Sequence, residues 1–328
     1  MDASDLSLKH IREAAQRLQG VAIETPLLRH DGLDAQCQAR VLIKPECLQR
    51  TGSFKIRGAY NRLAALTAPE RTAGVVAWSS GNHAQGIAAA ASLLGISATI
   101  VMPADAPAIK LERTRALGAR VVLYDRYRES REDIASDLSR KHGAILVPSY
   151  DDPYIIAGQG TVGLELATQA SALGHTLDRV FVCCGGGGLT AGIALAFEAL
   201  SPATHIHTVE PAGLDDHARS LETGTLTRNA PGAHSICDAL LAPQPGDLTF
   251  RINRGRLSQG LAVNDDEVRA AMRFAFEELK LVVEPGGAVA LAAALQQKLN
   301  LTGETVALIL SGGNVTAAFL AEQLAAAR

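Results

Sequence analysis

The sequence predicts an α/β fold of two open, twisted, parallel-rich sheets flanked by helices, and three observations predict it. Short apolar runs alternate with segments of helical period almost from end to end, the rhythm of repeated βαβ units. The runs are apolar throughout rather than at every second residue, as strands covered on both faces must be. No internal repeat and no low-complexity linker interrupts the alternation.

Taken in order, strands are expected at 41–43, 74–78, 98–102, 120–124, 144–147, 180–183, 205–209 and 305–310. Helices are expected over 82–94, 108–117, 130–142, 155–172 and 265–279, where apolar residues recur at helical spacing. The block 75–147 packs four such units into a short length, enough for a sheet of its own. Pro148-Ser149-Tyr150-Asp151-Asp152-Pro153 then breaks the pattern with turn residues. The expected organisation is a small domain, 74–148, inserted in a large domain made of 1–73 and 149–328.

Composition excludes several classes of function. The 328 residues carry a net charge of −3 with Lys and Arg dispersed, so there is no basic stripe for nucleic acid. Residues 1–20 are polar and amphipathic without a signal core, and no apolar run is long enough to cross a bilayer. The five cysteines (37, 47, 183, 184 and 237) form no Cys-x-x-Cys pair, which fits a reduced, cytoplasmic protein.

Two stretches carry the chemistry. In Thr51-Gly52-Ser53-Phe54-Lys55 a lone lysine sits on a tight turn entering a helix. Alone, such a lysine is usually a solvated surface residue. In Cys184-Gly185-Gly186-Gly187-Gly188-Leu189 a loop without side chains joins a buried strand to a helix, a shape that wraps one phosphate in backbone amides. A Schiff-base lysine with a phosphate cradle is what pyridoxal phosphate (PLP) requires. A dinucleotide site is the local rival: Gly186 to Ala191 satisfies G-x-G-x-x-A, and Glu210 stands near the expected acidic position. That reading leaves Lys55, Asn82 and Ser311 without a role.

Ser53-Phe54-Lys55-Ile56-Arg57-Gly58-Ala59, Ser79-Ser80-Gly81-Asn82-His83, the glycines 185–188 and Ser311-Gly312-Gly313-Asn314 occur in register over about residues 23–315. Together they resemble the fold-type II PLP enzymes, tryptophan synthase β-like in fold, and within them the threonine/serine dehydratase and serine racemase branch. The resemblance implies PLP between the two domains, with Lys55 as its Schiff-base lysine. It implies cofactor contacts from Phe54, Asn82 (at the 3′-oxygen), Gly185, Gly186, Gly187, Gly188, Leu189, Glu284 and Ser311 (at the pyridine nitrogen). A neutral hydroxyl at that nitrogen lets less negative charge build up in the ring, which favours β-elimination. Ser79, Ser80, Gly81, Asn82 and His83 would form the substrate-carboxylate loop, although His83 is equally readable as a packed histidine. Ser80 is implied as a second catalytic group, on the face opposite Lys55.

The segment Glu210-Pro211-Ala212-Gly213-Leu214-Asp215-Asp216 is either a solvated acidic loop or a cation site. Its spacing resembles the metal loop of metal-activated serine racemases and hydroxyaspartate dehydratases. That likeness implies Glu210, the Leu214 carbonyl and Asp216 as ligands of Mg, Mn or Ca. Two departures from the family pattern bear on the substrate: Cys237-Asp238-Ala239 replaces Ala-Asp-Gly, and Gly286-Gly287 replaces bulkier or hydroxylated residues.

The implied activity is PLP-dependent β-elimination from a small L-3-hydroxy amino acid, giving a 2-oxo acid and ammonia. Threonine, serine, 3-hydroxyaspartate and 3-phenylserine are the candidate substrates. A serine or aspartate racemase is the alternative on the same scaffold; a NAD-dependent dehydrogenase and an idle amino-acid-binding protein are alternatives of other classes. A homodimer is expected, without a C-terminal regulatory domain.

Overall fold

Two separate sheets account for the strand–helix rhythm. The structure, a computed structural model, describes residues 5–79, 81–106 and 108–326. Its strands are β1 (Leu28–Arg29), β2 (Arg40–Pro45), β3 (Val75–Trp78), β4 (Ala98–Pro103), β5 (Arg120–Tyr124), β6 (Ile145–Leu146), β7 (Arg179–Cys183), β8 (His205–Pro211), β9 (Leu261–Val263) and β10 (Thr305–Leu310). Six form one sheet in the order β1-β2-β10-β7-β8-β9, and four form another in the order β5-β4-β3-β6. Among these strands only the β1–β2 pairing is antiparallel; an isolated antiparallel bridge also joins Ser53 to Gly312.

Burial on both faces explains why inner strands such as β4, β7 and β10 lack an alternating pattern, whereas the edge strand β5 leaves Leu123 exposed. One face of the six-stranded sheet packs on the helix Pro285–Leu295, which is apolar all round and wholly buried. The other face packs through Val180, Val182 and Ile309 on Val162, Leu166 and Ile193 of the helices Pro153–Ala172 and Gly188–Leu200. The four-stranded sheet has its own core around Val75, Ala77, Ile100 and the Ala-rich helix Asn82–Leu94. That core also draws Ile56, Ala59 and Leu63 from the helix Lys55–Ala64, a segment outside 74–148. The same helix meets Pro153–Ala172 so closely that a Cβ on Gly158 would lie 2.6 Å from the Arg57 carbonyl oxygen.

The differences from sequence expectation have local causes. The helix expected from 155 begins at Pro153, because Asp152 accepts from the N–H groups of Tyr154 and Ile155 and Pro153 suits a first turn. The turn segment 148–153 is therefore partly a helix start. β1 and β9, of two and three residues, are too short to leave a periodic signal.

Candidate active site

A cleft of about 510 Å³ opens at the carboxyl ends of β3, β5, β7 and β10, and Trp78, Tyr124, Cys183 and Ser311 mark those four ends on its wall. Crevices at strand carboxyl ends are where open α/β sheets bind ligands.

Lys55 is the first residue of its helix and projects into this cleft. The turn before it needs left-handed backbone at Thr51 (φ 65°) and Gly52 (φ 72°), and a Cβ on Gly52 would approach Asn314 Oδ1 to 2.7 Å. The turn is stitched to the one after β10: Gly313 N donates to Gly52 O at 2.9 Å, and Phe54 N to Ser311 O at 3.2 Å. Strand pairing thus brings Lys55 and Ser311 together from opposite ends of the chain. Lys55 Nζ donates to the Ser149 carbonyl at 2.9 Å and stands 5.2 Å from the Phe54 ring centroid. Burial lowers its pKa to about 8, against the pull of the Glu284 carboxylate.

The glycine loop runs from the end of β7 into the helix Gly188–Leu200. A Cβ on Gly186 would lie 2.4 Å from the Tyr150 ring, and Gly187 has φ 88° with the His217 ring beneath it. Side chains have no room at either position. Among the described residues, the N–H groups of 185–189 have no acceptor, and the buried Thr190 Oγ1 has no partner. Free amides at a helix N-terminus beside an orphaned hydroxyl fit a phosphate group.

Asn82 and Glu284 meet across the cleft, Asn82 Nδ2 donating to Glu284 Oε1 at 2.5 Å. Asn314 Nδ2 donates to Asn82 Oδ1 at 2.7 Å, which fixes the amide's orientation. Burial, then the charge of Asp238, raises the Glu284 pKa to about 7. Ser79 Oγ accepts from Gly81 N at 3.1 Å. Phe54, Ser79, Gly81, Leu189 and Ser311 all line the cleft. Ser80 lies outside the described residues. His83 also borders the cleft, but its Nε2 is engaged with the Val147 carbonyl at 3.1 Å. Burial and the nearby Lys55 charge push its pKa down to about 3, which favours the neutral ring, and its buried Nδ1 has no partner among the described residues.

The acidic segment is not a solvated loop. Glu210 and Asp216 are buried. Glu210 accepts from His217 N at 2.9 Å and Ala218 N at 2.8 Å; Asp216 Oδ1 accepts from Asn229 Nδ2 at 2.6 Å, while Oδ2 has no partner. Burial and the Asp216 charge hold the Glu210 pKa well above the carboxylate range. Among the described residues no group of three or more His, Cys, Asp or Glu side chains could hold a metal ion.

Of the two substrate-related departures, Asp238 and Ala239 line the cleft, whereas Gly286 sits behind them, where a Cβ would meet Ala239 Cβ at 3.1 Å. Sequence reasoning missed four cleft features: the Ser149 carbonyl on Lys55, the Tyr150 ring on the glycine loop, the Thr190 hydroxyl, and the ion pair of Lys110 with Asp238 at 2.5 Å. Thr190 was visible as the hydroxyl residue within the glycine motif; the others depend on long-range contacts.

The model of the family described as "Pyridoxal-phosphate dependent enzyme" matches residues 18–312. The chain belongs to that family. PLP is accordingly its cofactor, and the residues that fit it are those just described. A Pseudomonas sp L-threo-3-hydroxyaspartate ammonia-lyase is 47% identical over 309 residues, 94% of this chain and 95% of the relative. An L-threonine ammonia-lyase of Thermotoga maritima is 40% identical, covering 94% of this chain and 76% of its own length. Among solved structures, maize serine racemase superposes with a TM-score of 0.91 at 38% identity, covering 98% of this chain and 97% of that one.

Proposed function

We propose that this PLP enzyme is an ammonia-lyase that converts a small L-3-hydroxy amino acid to a 2-oxo acid and ammonia, with L-threo-3-hydroxyaspartate, threonine and serine as the leading substrates. The observation that carries the reading is a lysine with pKa lowered to about 8 in the same cleft as the free amides of the glycine loop. Relatives named as ammonia-lyases over nearly the whole chain support it. PLP, when bound, supplies the electron sink that acidifies the substrate Cα–H. Lys55 Nζ both anchors the cofactor and, once freed, accepts that proton, for which a pKa near the working pH is suited. Ser79, Gly81 and Asn82 orient the substrate carboxylate. The Ser311 hydroxyl, on the cleft wall, would face the ring nitrogen and, being neutral, would not hold it protonated as a carboxylate would.

A serine or aspartate racemase is the second reading, favoured by the likeness to maize serine racemase. In it Ser80 serves as the second proton carrier. Glu210, the Leu214 carbonyl and Asp216 would hold a divalent cation such as Mg, Mn or Ca: the unpartnered Asp216 Oδ2 and the mutually repelling carboxylates are what a cation would relieve. The described residues include no helix long and apolar enough to cross a membrane. A cytoplasmic homodimer with a large domain (1–73 and 149–328) and a small one (74–148) completes the reading.

The test is 2-oxo acid formation from L-threonine, L-serine, L-threo-3-hydroxyaspartate and 3-phenylserine. Turnover of at least one is expected, with Lys55→Ala losing both turnover and the visible absorption of the bound cofactor. No 2-oxo acid from any of them, with enantiomer exchange intact, would transfer the assignment to the racemase.

A further inference from the structure

A glycine loop offers N–H groups to a ligand only if its carbonyls are held elsewhere. Gly186 O accepts from Thr249 Oγ1 at 2.6 Å and from Gly246 N at 3.3 Å. Gly187 O accepts from Asn253 Nδ2 at 3.4 Å and from Ala191 N at 2.9 Å. Thr249 and Asn253 are four residues apart on the helix Asp247–Asn253, so they share one face, and both are fully buried. Asn253 also bonds His217 Nε2 at 2.9 Å, and His217 Cε1 lies 2.6 Å from where a Cβ on Gly187 would stand. The start of this helix is held by Asp151, whose Oδ1 accepts from Leu248 N at 2.9 Å and Thr249 N at 3.0 Å. Asp151 adjoins Tyr150, whose ring covers Gly186. The loop is therefore clamped between Tyr150 on one side and Thr249, Asn253 and His217 on the other.

The N–H and C=O of a planar trans peptide point in opposite directions. Drawing Gly186 O back onto Thr249 therefore turns the Gly187 N–H forward, and drawing Gly187 O onto Asn253 does the same for the Gly188 N–H. Glycine backbone has no side chain to impose that choice and samples many alternatives. We propose that Thr249 and Asn253 are positioning residues for the cofactor's phosphate, setting the direction of the loop's amides without touching the ligand. The proposal rests on the glycine loop being the phosphate site.

PLP and pyridoxal differ by the phosphate alone, which separates this role from general support of the fold. Equilibrium dialysis of the full-length protein should give the wild type a much lower Kd for PLP than for pyridoxal. Thr249→Val should raise the PLP Kd about tenfold, the scale of one lost hydrogen bond, leave the pyridoxal Kd unchanged and shift the phosphorus resonance of bound PLP. Thr249→Ser should restore all three. Asn253→Ala should act in the same direction with a smaller factor, and supplies the contrast if Thr249→Val does not fold. Equal weakening of PLP and pyridoxal, or no change in either, overturns the proposal. A wild type that binds both forms equally well overturns instead the glycine loop as phosphate site.

Discussion

Two buried charge clusters flank the cofactor cleft, and they differ in how completely their members are partnered. Behind Lys55, Arg57 donates through Nε to Glu46, through Nη1 to Thr161 and Glu165, and through Nη2 to Glu46, Glu165 and the Ile23 carbonyl. Lys44 Nζ reaches Glu165, Gln169 and the Thr25 carbonyl, and Thr25 Oγ1 donates back to Glu46. Two cations face two anions with every donor spent. Burial alone would raise the Glu46 pKa, but Arg57 outweighs it and the net shift is downward. Beneath the glycine loop, Glu210 and Asp216 make no ion pair among the described residues; burial raises both pKa values, outweighing the downward pull of Arg219 on Asp216. A closed cluster fixes geometry, here the first turn of the helix that carries Lys55. An open one stores a demand for positive charge.

The largest effect should come from opening the closed cluster. Arg57→Met leaves Glu46 buried with only the Thr25 hydroxyl and the Lys44 charge to offset it and should cost about 3–5 kcal/mol in denaturant unfolding. A loss below about 1 kcal/mol would show that Glu46 simply takes up a proton. Completing the open cluster should do the reverse. Mg²⁺ should raise the melting temperature of wild type, by the equivalent of about 2.7 kcal/mol at a hundredfold excess over Kd, and should not raise that of Asp216→Asn. An equal shift in both would place the cation elsewhere.

A third prediction concerns pH in the presence of chelator. Burial raises the Asp216 pKa from 3.8 to about 6, so the native state keeps a proton that the unfolded chain has released. Stability contributed by this group is therefore lost as pH rises through that window, and wild type should lose about 1–2 kcal/mol more than Asp216→Asn, allowing for partial solvent screening. Parallel pH profiles would mean that the carboxylate is already compensated. The smallest effect is reserved for a solvent-exposed pair. Arg140→Ala breaks the exposed ion pair with Asp137 and should change stability by less than about 0.5 kcal/mol. A loss comparable with that of Arg57→Met would abolish the distinction between closed and exposed charge.

Neither cluster was fully legible in the sequence. Glu210 and Asp216 stood out because six positions separate them, but the same spacing suits a solvated loop, and only burial decides. Arg57 lay inside a recognisable motif, yet its partners Glu46 and Glu165 are 11 and 108 residues away. The fold was more readable: 120–124 and 305–310 match β5 and β10 residue for residue, β10 buried throughout and β5 a largely unburied edge strand that its apolar Val121-Val122-Leu123 still marks. The motif residues Lys55, Asn82, Glu284 and Ser311 do converge on one cleft. Tyr150 escaped notice because its role lies in the space that Gly186 vacates, and a side chain's absence does not name its neighbour.

Trp78, at the end of β3, gives the protein an optical reporter of its own. It is the chain's only tryptophan, and it lines the cleft proposed for a cofactor absorbing in the visible. Its emission should be quenched by energy transfer as that cleft fills. Cofactor loading, loss and exchange can then be followed in real time on the unlabelled protein, including variants that no longer turn over substrate.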